Sequence, residues 1–129
     1  GHAVQTSSTV PGTFVPVENQ GDILIDGSVF SVVPVYTAKD LGAKKVIAVD
    51  IFCHNQPAPE LTVSKVLLAT FRMQSCRLSQ QEMASADVLI TPNYEPSSDV
   101  SFNDRAKSIE TGYLAAKEVM PQIKALLAR

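Results

Sequence analysis

The stretch that decides the fold of this chain is Val10-Pro11-Gly12-Thr13-Phe14-Val15-Pro16-Val17, followed within ten residues by Ile23-Leu24-Ile25-Asp26-Gly27-Ser28. A carboxylate between a short apolar strand and a glycine is typical of a tight turn at a strand end. Active sites of α/β proteins tend to lie at such strand ends. Asp26 is therefore the first candidate for a functional residue.

Residues around the first part of this stretch indicate short elements separated by turns. Thr6-Ser7-Ser8-Thr9, which precedes Pro11-Gly12, predicts the end of a short helix or loop. Residues 14–17 contain Pro16 and predict an edge or irregular strand, because proline cannot donate a hydrogen bond to a neighbouring strand. Asn19-Gln20-Gly21-Asp22 predicts the turn that follows.

The second part of the stretch contains a hairpin signal. Asp26-Gly27 lies between the apolar residues 23–25 and residues 29–33. Because Asp-Gly accommodates the positive backbone angles of a tight turn, this pattern predicts two strands joined at Asp26-Gly27.

Farther along, a helix is predicted to lead into a buried strand. Residues 36–41 are followed by Gly42, which is typical of a helix end. Residues 45–52 are almost uninterruptedly apolar, as in a strand that is buried on both faces. We interpret the Lys44-Lys45 pair between them as part of the helix-to-strand turn.

The middle of the chain predicts one long helix and a second strand. Apolar residues at helical spacing predict a helix over residues 63–86, with a break near residues 75–79. Residues 87–91 predict a strand that ends at Pro92. Residues 93–98 predict a polar loop.

The C-terminal part predicts a further helix and completes the order of elements. Ser101, with Asp104 three residues later, is typical of a helix start, and apolar residues recur on one helical face over residues 106–120. Pro121 predicts a kink or a restart of that helix. The alternation of strands and helices predicts an α/β layered sheet with mostly parallel strands, in one domain that covers residues 1–129.

The composition is that of an ordinary globular chain and excludes two classes of protein. The 129 residues include 45% hydrophobic and 19% charged side chains, which fits one folded domain. A formal net charge of -2 and a pI near 5.6 argue against nucleic acid as a partner, since phosphate binding needs clustered Lys and Arg. The sequence contains no apolar run of roughly 18 residues, so no membrane-spanning helix is predicted.

The cysteines and histidines predict neither a disulfide nor a metal site. Cys53 and Cys76 lack Cys-x-x-Cys spacing, and we interpret both as small apolar fillers in a protein of a reducing compartment. This predicts a cytoplasmic location. Asp50, Cys53 and His54 cluster only locally, without further ligands at a recognised spacing. No metal ion and no cofactor are therefore predicted.

Asp26 has two interpretations from its spacing alone. It is a turn residue that accepts hydrogen bonds from its own loop, or it is a general base that takes a proton from a serine hydroxyl. A base of this kind needs burial and a short contact with the serine, and spacing reveals neither. A different hypothesis is a response-regulator-like binding module, in which Asp50 at a strand end would be the functional carboxylate.

The same landmarks, in the same order, resemble the C-terminal half of the patatin-like phospholipases. The segment from Ala3 to Val17 is similar to the one that precedes the family's Asp-Gly-Gly or Asp-Gly-Ala motif, which reads Asp26-Gly27-Ser28 here. Residues 86–92 and 109–113 resemble the family's later strand and closing helix. The resemblance covers nearly all of the chain and implies a patatin-like layered α/β/α sheet, with Asp26 as the catalytic aspartate. Ser28 departs from the family's glycine or alanine.

The resemblance also implies a serine nucleophile that this sequence does not contain. The family's serine lies in a Gly-x-Ser-x-Gly turn, and an upstream glycine-rich loop supplies the amides that stabilise the oxyanion. Neither motif occurs in the 129 residues, and both are expected N-terminal to residue 1 in the complete protein. We interpret Ser7 and Ser8 as turn or helix-end residues and not as substitutes. Neither His2 nor His54 is predicted to be catalytic.

The resemblance therefore implies part of a serine hydrolase that cleaves carboxylic esters of lipids or lysophospholipids, with Asp26 as the base of a Ser-Asp dyad. The chain alone is expected to be inactive. Its expected partners are the lipid or ester substrate in the complete enzyme, the N-terminal half of the same protein or a second copy, and, peripherally, a membrane surface. The alternative is a non-catalytic interaction or scaffold domain that retains the fold.

Overall fold

A computed structural model describes residues 1–55, 58–93 and 103–128 of the chain. Over these residues the fold is mixed α/β, with five α-helices, one short 3₁₀-helix and two small sheets. The α-helices are α1 (His2–Thr6), α2 (Val35–Asp40), α3 (Val63–Ala84), α4 (Arg105–Glu118) and α5 (Met120–Leu127). The strands are β1 (Val17–Asn19), β2 (Asp22–Leu24), β3 (Ile47–Val49) and β4 (Val88–Ile90), and the 3₁₀-helix covers Gly27–Val29.

Strands β1 and β2 form an antiparallel hairpin, with Val17 opposite Leu24. Gln20 and Gly21 have positive φ angles of 54° and 90°, the conformation that a two-residue hairpin turn requires. The turn predicted over residues 19–22 is therefore confirmed. The strand predicted over residues 14–17 is regular only from Val17 onward.

The hairpin predicted at Asp26-Gly27 is wrong. Residues Gly27–Val29 form a 3₁₀-helix, and the Asp26 side chain accepts a hydrogen bond from the backbone N–H of Ser28 at its start. The N–H groups of Phe30 and Ser31 both donate to the carbonyl of Gly27 at 3.0 Å. Asp26 therefore starts a helical turn and does not form the turn of a hairpin, because its side chain accepts a hydrogen bond from the backbone N–H of Ser28.

Helix α2 leads into β3 as predicted. The helix ends at Asp40, and Gly42 has a φ of 99°, which glycine adopts without steric cost. Lys45, just before β3, donates from Nζ to the carbonyl oxygen of Leu126 at 2.7 Å. This contact joins the start of β3 to the last turn of α5, where a cation also interacts favourably with the helix dipole.

Strands β3 and β4 pair in parallel, with Ile47 opposite Val88 and Val49 opposite Ile90. One face of β3 is buried in the core cluster that Val46 and Ala48 form with Val35 of α2. On the other face Ile47 is 42% exposed and Val49 is 49% exposed. The prediction that this strand is buried on both faces is therefore confirmed for one face only.

Helix α3 is a single helix of 22 residues that begins after the N-cap residue Thr62. The break predicted near residues 75–79 is wrong. Ser75 and Ser79 are buried, and the hydroxyl of Ser79 accepts a hydrogen bond from the backbone N–H of Val32. A serine weakens a helix when its hydroxyl hydrogen-bonds to the nearby backbone. The Ser79 hydroxyl bonds to a distant segment, and the helix continues past it.

The C-terminal region is divided into two helices next to Pro121. Helix α4 ends at Glu118 and α5 begins at Met120 with Pro121 in its first turn, where a missing N–H has no cost. The predicted restart is confirmed. Asp104 is the N-cap of α4, whereas Ser101 and most of the polar loop predicted over residues 93–98 lie outside the described residues.

The interpretation of the cysteines as separate apolar fillers is wrong. Cys53 and Cys76 form a disulfide, with their Cα atoms 5.4 Å apart. Cys-x-x-Cys spacing is not needed, because the fold brings the segment after β3 against the middle of α3. The disulfide also removes the basis for predicting a reducing compartment, since disulfides persist mainly in oxidising ones.

The mixed α/β class is thus confirmed over the described residues. Their strands form one parallel and one antiparallel pair, and a layered sheet of mostly parallel strands stays a prediction. Among the described helices, none combines the length and the apolar character that crossing a membrane requires.

Candidate functional site

Asp26 lies just beyond the end of β2 and is half-buried. Its backbone is extended, with φ and ψ of -56° and 131°, and its N–H donates to the carbonyl oxygen of Thr9 at 3.1 Å. Its carboxylate Oδ1 accepts a hydrogen bond from the N–H of Ser28 at 2.8 Å. Both the backbone and the carboxylate of Asp26 are therefore held in a fixed orientation.

The two carboxylate oxygens of Asp26 differ in their contacts. Oδ1 is engaged by Ser28, whereas no hydrogen bond reaches Oδ2 from residues 1–55, 58–93 or 103–128. A carboxylate oxygen carries about two acceptor sites. Asp26 can therefore keep its turn hydrogen bond and still accept a proton from a second group, which makes the two sequence interpretations compatible.

The segment that contacts the backbone of Asp26 is the loop after α1. Thr9 is buried, and its hydroxyl donates to the carbonyl oxygen of Thr6 at 2.6 Å. The Ser8 hydroxyl donates to the carbonyl oxygen of Val4 at 3.0 Å, and Ser7 is the C-cap residue of α1. These contacts confirm the helix-end role predicted here, and within the described residues no serine hydroxyl is hydrogen-bonded to the Asp26 carboxylate.

A cluster of polar side chains on α3 holds the segment that follows the Asp26 turn. The carboxylate of Glu82 accepts from the Ser31 hydroxyl at 2.6 Å through Oε2 and from the Tyr36 N–H at 2.8 Å through Oε1. The Ser79 hydroxyl accepts from the Val32 N–H at 2.9 Å. Sequence reasoning missed this cluster. The signal that could have found it is the spacing of positions 75, 79 and 82, which places all three on one face of a helix.

Asp50 has a structural role at the carboxyl end of β3. The residue is 2% exposed, and its Oδ1 accepts from the N–H groups of Phe52 at 2.9 Å and Cys53 at 2.7 Å. His54 Nδ1 lies 4.0 Å from Oδ2. Oδ1 is therefore occupied by the residue's own turn, and Oδ2 lies buried beside His54. This arrangement gives no support to the hypothesis of a binding module built on Asp50.

Arg72 of α3 completes the attachment of the segment after β3. Its guanidinium lies 4.5 Å from the centroid of the Phe52 ring and donates to the carbonyl oxygens of Phe52 and Asn55. The Cys53 sulfur is bonded to Cys76 and cannot bind a metal ion as a thiolate. No group of three His, Cys, Asp or Glu side chains in the described part of the chain is arranged to hold a metal ion.

An open apolar cavity of about 370 Å³ lies between the carboxyl ends of β3 and β4 and the helix α4. Its lining includes Val49, Ile51, Ile90, Pro92, Gly112 and Ala116. Apolar cavities of this size accommodate small ligands in many proteins.

The comparison with known protein families adds no assignment. No family model matches this chain. The resemblance to patatin-like phospholipases therefore rests on the residues quoted from the sequence alone.

Proposed function

We propose that this chain is the C-terminal part of a patatin-like serine hydrolase, in which Asp26 is the general base of a Ser-Asp dyad. The observation that carries the proposal is the Asp26 carboxylate at the end of β2, oriented by Ser28 through one oxygen while Oδ2 has no hydrogen bond from the described residues. The ordered resemblance of residues 3–17, 26–28, 86–92 and 109–113 to that family supports the same assignment.

The proposed reaction is acyl transfer to a serine in another part of the complete protein. The serine oxygen attacks the carbonyl carbon of a lipid or lysophospholipid ester while its proton passes to Asp26. The leaving alkoxide takes that proton as the ester C–O bond breaks. Water, with Asp26 again as base, then hydrolyses the acyl-serine. Backbone amides elsewhere in the complete protein would stabilise the oxyanion.

The proposed architecture is a layered α/β/α sheet that includes β3 and β4. Its support is the apolar face formed by Ile47, Val49 and Ile51, of which Ile51 is 76% exposed in this chain. Strands of parallel sheets are usually covered on both faces. We propose that the N-terminal half of the same protein, or a second copy of the chain, covers this face.

The cytoplasmic location, with peripheral membrane contact through the lipid substrate, also belongs to this proposal. The Cys53–Cys76 disulfide argues against the cytoplasmic part of it, because thiols are kept reduced there. Determining the redox state of the two cysteines in protein isolated with thiol-blocking reagent distinguishes the compartments.

The alternative proposal is a non-catalytic interaction or scaffold domain that retains the fold. It is supported by the hydrogen bond from Ser28 to Asp26, which is an ordinary turn contact for an aspartate. It is also supported by the lack of Gly-x-Ser-x-Gly in the 129 residues. That motif in the sequence preceding residue 1 would favour the hydrolase, and its absence there would favour the scaffold.

Asp26→Asn in the complete protein tests the proposed base. We expect kcat on a lipid ester to fall by roughly 10² to 10⁴, the usual contribution of a general base, while the circular dichroism spectrum stays unchanged. Asp22→Asn is the matched control, because Asp22 lies four positions earlier in β2 and is exposed. Equal turnover of the two variants would make Asp26 a turn residue only. A complete protein without esterase activity would favour the scaffold.

A further inference from the structure

Three hydrogen bonds attach the segment after the Asp26 turn to helix α3. Ser31 and Tyr36 donate to the carboxylate of Glu82, and Val32 donates to the hydroxyl of Ser79. The acceptors are 46 to 51 positions away from their donors in the sequence. Glu82 is 8% exposed and Ser79 is 0% exposed, so water does not compete strongly for these contacts.

Glu82 also replaces a missing helix cap. The N-cap residue of α2 is Pro34, which makes no side-chain capping hydrogen bond. The first backbone N–H groups of a helix need an external acceptor. Glu82 Oε1 supplies one by accepting from the N–H of Tyr36 at 2.8 Å, and a carboxylate is favoured there by the helix dipole. The carboxylate of α3 therefore fixes where α2 begins.

Hydrogen bonds and the short backbone segment between them connect Glu82 to the Asp26 turn. The hydroxyl of Ser31 donates to Glu82 Oε2 at 2.6 Å, and the N–H of Ser31 donates to the carbonyl oxygen of Gly27 at 3.0 Å. The N–H of Val29 donates to the carbonyl oxygen of Asp26 at 3.4 Å. These contacts attach Ser31 to the turn whose Ser28 N–H orients the Asp26 carboxylate.

We infer that Glu82 is a positioning residue for Asp26, acting through Ser31 and the 3₁₀ turn. This inference rests on the proposed function, since it assigns Asp26 a position-sensitive role. The Thr9 contact fixes only the backbone N–H of Asp26. The orientation of its carboxylate depends on the turn that follows. Misplacement of a catalytic group by about 1 Å can cost roughly 10²-fold in rate.

The substitutions Glu82→Ala and Glu82→Gln separate positioning from other effects. In the complete protein Glu82→Ala should lower kcat by about 10- to 100-fold, with KM nearly unchanged. Glu82→Gln should restore most of the rate, because the amide oxygen still accepts from Tyr36 and the amide nitrogen can donate to the Ser31 oxygen. Gln81→Ala, on the exposed side of the same helix, is the control and should leave kcat unchanged. A Glu82→Gln variant as slow as Glu82→Ala would overturn the inference.

Two further readouts keep the inference testable if Glu82→Ala does not fold or if the proposed function fails. Ser31→Ala removes only the hydroxyl that contacts Glu82, and it should shift the backbone amide NMR signals of Gly27 and Ser28. That measurement requires no activity, and unmoved signals would contradict the positioning role.

If the protein is an esterase, adding Glu82→Ala to the Asp26→Asn variant should hardly lower its kcat further, because both substitutions act on the same step. Full additivity would show that Glu82 acts elsewhere.

Discussion

Cys53, in the segment after β3, and Cys76, in the middle of α3, are joined covalently. Three and six positions farther along α3, Ser79 and Glu82 hold the segment that follows the Asp26 turn. One helix therefore attaches both of the segments in which sequence analysis placed functional carboxylates.

The disulfide should contribute much of the stability of the chain. It closes a loop of 23 positions, and a loop of that size is expected to add about 3 kcal/mol by restricting the unfolded chain. Dithiothreitol should therefore lower the urea midpoint of the wild type, measured by circular dichroism. The Cys53→Ser/Cys76→Ser double variant should unfold at the lowered midpoint with or without the reductant. A wild type whose midpoint is unaffected by complete reduction would contradict this prediction.

Asp50 should stabilise the fold without any catalytic role. Asp50→Ala leaves the N–H groups of Phe52 and Cys53 without their acceptor, which should cost about 1–3 kcal/mol in the free energy of unfolding. Asp50→Asn retains one acceptor oxygen and should cost less. Asp40→Ala, at the exposed end of α2, is the control. Urea unfolding that finds Asp50→Ala as stable as Asp40→Ala would show that the turn does not depend on this carboxylate.

The elements that sequence analysis predicted well depend on local signals. Gly42 ends α2, Pro121 restarts the C-terminal helix, and β4 ends before Pro92, because glycine and proline restrict the backbone at their own positions. The Asp26-Gly27 hairpin failed for an equally local reason. The same aspartate that favours a tight turn can also cap a helical one, and the sequence pattern does not decide between these two uses.

The features that were missed depend on contacts between distant segments. The partners of Glu82 lie 46 and 51 positions away, and Cys53 meets Cys76 only because the segment after β3 lies against the middle of α3. Spacing along one chain does not encode such contacts. For the candidate site, Asp26 therefore stays a prediction from the sequence, whereas the groups that hold its turn became visible only in the folded structure.

The chain of residues 1–129 should have no esterase activity by itself. Asp26 can accept a proton, but a base without a positioned nucleophile and oxyanion donors provides no covalent route. Incubation of the purified chain with a short p-nitrophenyl ester should release p-nitrophenol at the rate of the buffer alone. Turnover that a serine-directed phosphonate blocks would contradict this prediction and would point to Ser7, Ser8 or Ser28 as a nucleophile.

The last prediction concerns the apolar face of β3. Among the described residues, β3 and β4 pair only with each other, so the outer edge of each presents unpaired backbone groups. On the face opposite the core, Val88 and Ile90 of β4 are buried. Ile47, Val49 and Ile51 are exposed there, the last two at the open cavity beside α4, and such a surface favours association.

We therefore expect the chain to pair with a second copy or with the N-terminal piece of its own protein, through a contact above roughly 1,000 Å². Light scattering of the chain alone should give a mass above the 13.9 kDa of one copy. Val49→Lys should lower that mass, because a charge at a half-exposed apolar position opposes burial. Leu41→Lys, an exposed position at the end of α2, is the control and should not lower it. A monodisperse monomer that binds little hydrophobic dye would show that these residues need no partner to cover the sheet.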